Sequence, residues 1–207
     1  MIWTLEQPKD ISLITISGSL NISPFYKIWE GEICKSCQRP IKITQINNLT
    51  IDIYGNKTEG FVWIDDAQMI VDEELYQKII DSGMRGVSFR QVEIITWFQI
   101  DSVNNKMQEA NTSIFPKLFQ IIPEKKENIF IKTKEPKVKE KCQNCNLIIY
   151  EPPNGIFINE KLLDGDDVFV TSELPGIILL SDKFINLLLS SKIINYQLIN
   201  AINYNVF

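Results

Sequence analysis

Three observations predict an α+β fold built from two similar strand-helix-strand units and a pair of zinc knuckles, the product of an internal duplication. The first is a spacing. The four cysteines of the 207-residue chain fall as Cys34-Lys35-Ser36-Cys37 and Cys142-Gln143-Asn144-Cys145, two C-x-x-C pairs with nothing left over, which is the arithmetic of one four-thiolate site. The second is a recurrence. Moved by 109 positions, one more than the offset of the cysteines, Asp72, Leu75, Ile79, Ile80, Met84, Val87 and Phe89 land on Ser181, Phe184, Leu188, Leu189, Ile193, Tyr196 and Leu198. A helix cap falls on a helix cap, and apolar residues fall on apolar residues. The third is the β-branched sequence that flanks each helical stretch, as expected of strands.

Taken in order, Ile11-Ser12-Leu13-Ile14-Thr15-Ile16 ahead of the Ser17-Gly18 turn is the best strand candidate of the N-terminal lead-in. After Cys37, the stretch Ile41–Ile53 reads as two strands parted by Asn47-Asn48, a turn-forming pair. Tyr54–Gly60 reads as a loop and Phe61-Val62-Trp63-Ile64 as a strand. Asp72 is a good N-cap for a helix to about Ser82, with Glu73 and Glu74 in its first turn and Gly83 as its stop. Val87, Phe89 and Val92 suggest a strand, and Ile94–Ile100 another. Asn111–Ile122 resists assignment, because Pro116 breaks a segment whose apolar residues want burial. In the second half, Ile178-Leu179-Leu180 leads into the helix capped by Ser181.

These elements divide the chain into a first repeat at 1–95 that includes the lead-in and first cysteine pair, a connecting segment at 96–137, and a second repeat at 138–207 with the second pair. Residues 125–141 hold seven lysines against three glutamates. Glutamate interleaved with the lysines marks this as a solvated stretch and not a nucleic-acid arm.

Composition narrows the function. With 44% apolar and 23% charged residues the chain is that of a globular protein, and its formal charge of −5 argues against nucleic-acid binding through phosphate contacts. An acidic surface fits a basic protein partner, and more commonly serves solubility alone. No apolar run approaches the roughly 20 residues that span a bilayer, and the first ten residues lack a signal-peptide pattern. A cytoplasmic protein without membrane contact is expected. The chain has no histidine, which removes Ser-His-Asp and Cys-His catalysis together with every His-containing zinc site. This argues against a hydrolase and not against enzymes as a class; a non-enzyme is expected.

In a reducing compartment, Cys34, Cys37, Cys142 and Cys145 are expected to be ligands of one structural Zn²⁺. Redox thiols and two metal-free pairs are the competing readings. Against the redox reading, neither Cys37 nor Cys145 opens a convincing helix, the usual means of activating such a thiol. The carboxylates of Asp164-Gly165-Asp166-Asp167 lack the alternating ligands of a calcium loop and read as a turn.

The two knuckles, with Leu162-Leu163-Asp164-Gly165-Asp166-Asp167-Val168-Phe169 and then Ile178-Leu179-Leu180-Ser181-Asp182-Lys183-Phe184, resemble the bacterial double-CXXCG motif proteins and related immunity proteins of polymorphic toxin systems. The glycine that follows each pair in that family is Gln38 and Asn146 here; glycine at such a position signals positive φ. The resemblance implies a small cytoplasmic antitoxin that binds a cognate toxin domain, with zinc holding the scaffold. Asp65-Asp66, Asp72-Glu73-Glu74 and Asp164–Asp167 are then candidates for meeting a basic toxin surface. A thiol-disulfide redox protein and a zinc-ribbon nucleic-acid adaptor are the alternatives.

Overall fold

A computed structural model describes residues 2–6, 29–45, 48–54, 60–63, 69–101, 104, 106–127, 137–151, 155–172, 174, 177–193 and 197–201. The fold is α+β and dominated by sheet, with two α-helices among the described residues. The strand expected at 11–16 and the acidic pair Asp65-Asp66 lie outside them.

The first half holds β1 (Ile2–Glu6), β2 (Trp29–Ile33), β3 (Pro40–Gln45), β4 (Thr50–Tyr54), β5 (Phe61–Trp63), β6 (Met69–Asp72), α1 (Glu73–Asp81), β7 (Val87–Ile100) and β8 (Met107–Glu109). The second holds β9 (Leu118–Lys126), β10 (Val138–Lys141), β11 (Ile148–Tyr150), β12 (Val168–Thr171), β13 (Leu179–Ser181), α2 (Asp182–Ser190) and β14 (Gln197–Asn200). Two predicted strands, at 87–92 and 94–100, are one continuous strand that crosses residue 95. It stays continuous because it changes partners along its length: β9 pairs antiparallel with Val87–Val92, and β4 pairs parallel with Glu93–Phe98. The unassigned stretch resolves at Pro116. A single 3₁₀ turn at Thr112–Ile114 precedes it, and β9 starts two residues after it, where Leu118, Gln120 and Ile121 are buried.

Among the described residues ten strands join one mixed sheet in the order β14-β1-β13-β12-β9-β6-β5, with β7 also on β9 and carrying β4 and β8. Strand β9 is its hub. Its first half is flanked by β6 and β7, and its last residues run parallel to β12. The remaining strands form two separate hairpins, β2-β3 and β10-β11.

Both helices begin, and α1 ends, for the reasons legible in the sequence. The Asp72 carboxylate accepts the Leu75 N–H at 2.8 Å and the Gly60 N–H at 2.7 Å. The Ser181 hydroxyl accepts the Phe184 N–H at 3.3 Å and donates to Asp167 at 2.7 Å. Each cap satisfies an N–H that the first helical turn leaves without a carbonyl. Gly83, at φ +61°, closes α1.

Both helices pack on one central core. Phe61, Val71, Leu75 and Ile79 from the first half meet Val168, Leu180, Phe184 and Leu188 from the second. Tyr76 stacks on Phe119 at 3.9 Å and meets Phe89 edge-on. Two flanking clusters lie to the sides. One is built on Leu49, Ile51, Ile53, Val62, Ile70, Val92, Trp97 and Leu118, the other on Ile156, Ile158, Leu163, Phe169, Leu174, Leu179 and Ala201.

Candidate metal centre

Each cysteine pair sits at the turn of its own hairpin. In the first, the Cys34 N–H donates to the Arg39 carbonyl and the Gln38 N–H to the Cys34 carbonyl, both at 2.8 Å. In the second, Cys142 donates to Leu147 and Asn146 to Cys142, both at 2.9 Å. The turns close through Gln38 at φ 56° and Asn146 at φ 58°. The left-handed position expected of the missing glycine is therefore present in both knuckles. Asparagine adopts it readily and glutamine less so, but Gln38 also donates its side-chain N–H to the Lys35 carbonyl at 2.8 Å, which ties the turn.

The fold brings Cys34, Cys37, Cys142 and Cys145 into one group, with all four Sγ atoms within 4.8 Å of one another. Cys34 faces Cys142 at 3.9 Å, and Cys37 faces Cys145 at 3.9 Å. None of the four is in a disulfide. A tetrahedral ion with bonds of about 2.3 Å to sulfur has edges of about 3.8 Å between sulfurs, so the two facing pairs already stand close to the ligand separation. The donor set fits one divalent, thiophilic ion.

The thiols differ in acidity in a pattern set by the knuckle. Backbone N–H groups of Cys37 and Ser36 point at the Cys34 sulfur and bring its pKa down to about 6. Those of Cys145 and Asn144 lower Cys142 in the same way. Cys37 and Cys145 each receive an N–H as well, from Arg39 and Leu147, but desolvation and the neighbouring thiols outweigh it. Cys37 is raised, and Cys145 is pushed up to about 12. Four thiolates packed this closely repel one another, and a bound dication relieves that repulsion.

Around the sulfurs, Asn144 donates to the Ser36 hydroxyl, and Arg39 pairs with Glu140 at 3.2 Å across the two hairpins. Sequence reasoning overlooked both contacts. The first was discoverable, because Ser36 and Asn144 share the 108-residue offset of the cysteines. The second needed the relative placement of the hairpins. Among the described side chains of the two hairpins only Cys34 is buried.

A scan of protein-family models gives no match, and neither does a comparison with curated protein sequences.

The acidic clusters serve the fold. Asp72 caps α1, Glu73 pairs with Lys117 at 2.7 Å and Glu74 with Lys78 at 2.6 Å. In the Asp164–Asp167 turn, Asp166 holds Lys126 in a largely buried ion pair, which raises the Lys126 pKa. Asp167 accepts the Arg85 N–H at 3.0 Å and the Ser181 hydroxyl. Asp164 and Gly165 turn the chain at φ +52° and +79°. No helix among the described residues is long and apolar enough to cross a membrane.

Proposed function

We propose that the chain is a duplicated, zinc-holding protein that works by docking to a partner and not by catalysis, and that the partner is the toxin domain of a bacterial polymorphic toxin system. One observation carries the scaffold reading: among the described residues, four cysteine sulfurs gather at one point and the group includes no carboxylate. Four protein thiolates close a tetrahedral shell and leave no position for substrate or water, the arrangement of structural and not catalytic zinc. Bound there, zinc would supply a fixed crosslink between the two hairpins and neutralise their thiolates.

Duplication is supported by agreement at several levels. The helices are nine residues each and 109 positions apart, at Glu73 and Asp182. Both knuckles carry the same two backbone hydrogen bonds and a left-handed residue at the same position, Gln38 or Asn146. Cys34 touches Cys142, Cys37 touches Cys145 and Ser36 touches Asn144, every pair 108 positions apart. Contact between equivalent positions is what a pseudo-twofold through the sulfur cluster would produce, and it supports the duplication.

The toxin partner rests on the resemblance to double-CXXCG and immunity proteins, and its cytoplasmic setting on the same ground. The test has two parts. Purified protein is expected to carry about one zinc per chain, with thiols that react only after chelation. Co-expression with the toxin domain encoded beside it is expected to restore growth and yield a stable complex. Free toxicity with no complex sinks the immunity reading. A second reading, thiol-disulfide exchange, is favoured by the lowered Cys34 thiol facing Cys142 at 3.9 Å. Metal-free protein with a reversible disulfide would establish it instead.

A further inference from the structure

The duplication extends to a strand that the cysteine and helix offsets do not reach, and that strand sits in the wrong half. In the first half, β9 lies between β6 and β7. Leu118, Phe119 and Gln120 stand opposite Asp72, Val71 and Ile70, while Phe119, Gln120, Ile121 and Ile122 stand opposite Gln91, Arg90, Phe89 and Ser88. In the second half, β1 lies between β13 and β14. Ile2, Trp3 and Thr4 stand opposite Ser181, Leu180 and Leu179, while Trp3, Thr4, Leu5 and Glu6 stand opposite Asn200, Ile199, Leu198 and Gln197.

When the residues of β6 and β7 are advanced by the helix offset of 109 they become those of β13 and β14, and the seven β9 pairings just named map onto the seven of β1. The match holds on both edges in one frame, with Leu118 equivalent to Ile2 and Ile122 to Glu6. The first four positions agree in character as well, Leu-Phe-Gln-Ile in β9 against Ile-Trp-Thr-Leu in β1, and the fifth differs, Ile122 against Glu6. A slip of one residue on either edge would break the correspondence.

Building on the duplication proposed above, we infer that the chain is a fused, strand-exchanged pseudo-dimer. Each copy begins with its own first strand, β1 or β9, and delivers it into the slot between the two strands that flank the helix of the other copy. The slot is an interaction surface, and the partner it fits is the first strand of a second copy. Each exchanged strand is central, with neighbours on both edges, so neither half completes its own sheet. The shared core has the same symmetry: Phe61 and Val168, Val71 and Leu180, Leu75 and Phe184, and Ile79 and Leu188 are equivalent pairs within one cluster. The flanking clusters correspond through Val62 and Phe169, Ile70 and Leu179, and Val92 and Ala201. The halves are thus joined by strands and core, and the metal clasps only the two hairpins.

The test places a specific protease site in the exposed stretch Asn111–Ile114 of the full chain and cleaves the purified protein there. The two pieces are expected to elute as one particle with unchanged far-UV circular dichroism, with and without chelator. Separation on cleavage overturns the exchange. Separation only after chelation also overturns it, but leaves the metal reading standing; pieces that stay joined in protein lacking zinc overturn the metal reading alone. A second experiment probes the frame in the uncut chain. The variant Ile2→Leu, Trp3→Phe, Thr4→Gln, Leu5→Ile, Glu6→Ile writes the β9 sequence into β1, and its Tm is expected within about 5 °C of the parent. The same transplant slipped by one residue, Ile2→Phe, Trp3→Gln, Thr4→Ile, Leu5→Ile, Glu6→Pro, is expected to lower Tm by more than about 10 °C. Equal losses from the two transplants overturn the inferred equivalence.

Discussion

Gly86→Ala, read against Gly83→Ala, tests the contact through which the first half of the chain grips the Asp164–Asp167 turn. Both glycines have positive φ, +75° and +61°, so each alanine incurs left-handed strain of about 1–2 kcal/mol. The surroundings differ. A Cβ on Gly83 meets nothing within 4 Å, whereas one on Gly86 stands 2.5 Å from the Val168 carbonyl oxygen and 2.7 Å from the Asp166 Cβ. Relief requires the start of β7 to withdraw from the Val168 carbonyl by about 0.9 Å, to reach ordinary contact. That movement stretches the bonds from the Asp167 and Val168 N–H groups to the Arg85 carbonyl, now 2.9 and 3.2 Å, and from Glu124 N–H to the Gly86 carbonyl, now 2.7 Å. At about 1 kcal/mol each, losing two or three of them puts the total for Gly86→Ala at about 3–5 kcal/mol. The variants are to be compared by urea unfolding of the full chain with metal saturated. Gly86→Ala is expected to lose at least about 2 kcal/mol more than Gly83→Ala. Equal losses would refute the steric account and leave only backbone strain.

Metal affinity is expected to rise with pH, because the raised Cys37 and Cys145 thiols still hold protons at neutrality that the metal must displace. It is expected to fall more steeply below about pH 6, where Cys34 also takes up a proton; competition with a chromophoric chelator from pH 5.5 to 8.5 reads the slope. Cys145→Ser is expected to abolish stoichiometric zinc while the chain keeps a cooperative thermal transition, since the three buried clusters contain no knuckle residue. A Cys145→Ser chain that is unfolded at room temperature would contradict this. Ile79→Ala and Leu188→Ala, each at a fully buried position, are expected to cost about 2–5 kcal/mol apiece in denaturant unfolding. Their effects should combine non-additively, because both line one core. Asp72→Ala is expected to cost about 1–2 kcal/mol through loss of the cap, measured in the same way.

Much of the local structure was legible, and the reasons are local. Asp72 and Ser181 cap helices because a short oxygen acceptor ahead of an amphipathic run has few other roles, and both caps are in place. The cysteine spacing announced a four-thiolate group because only contact between the pairs makes such arithmetic useful. The strand at Leu118–Lys126 was not legible: Pro116 obscured its start, and its burial depends on β6, β7 and β12, all distant in sequence. The two strands read at 87–92 and 94–100 were divided for the same reason, because continuity through residue 95 depends on β4 taking over from β9 as partner.

The sequence by itself determined which residues cap the two helices, where the first of them stops, and which four side chains form the group that could hold a metal ion. Those properties reside in short windows and in counting. Only the tertiary structure decided that Cys34 faces Cys142 and Cys37 faces Cys145, that the acidic turn at Asp164–Asp167 braces Arg85 and Lys126, and that β1 is seated between β13 and β14 and β9 between β6 and β7. Pairing partners are chosen by closing long loops around a shared core, and periodicity along the chain carries no record of which slot a strand enters.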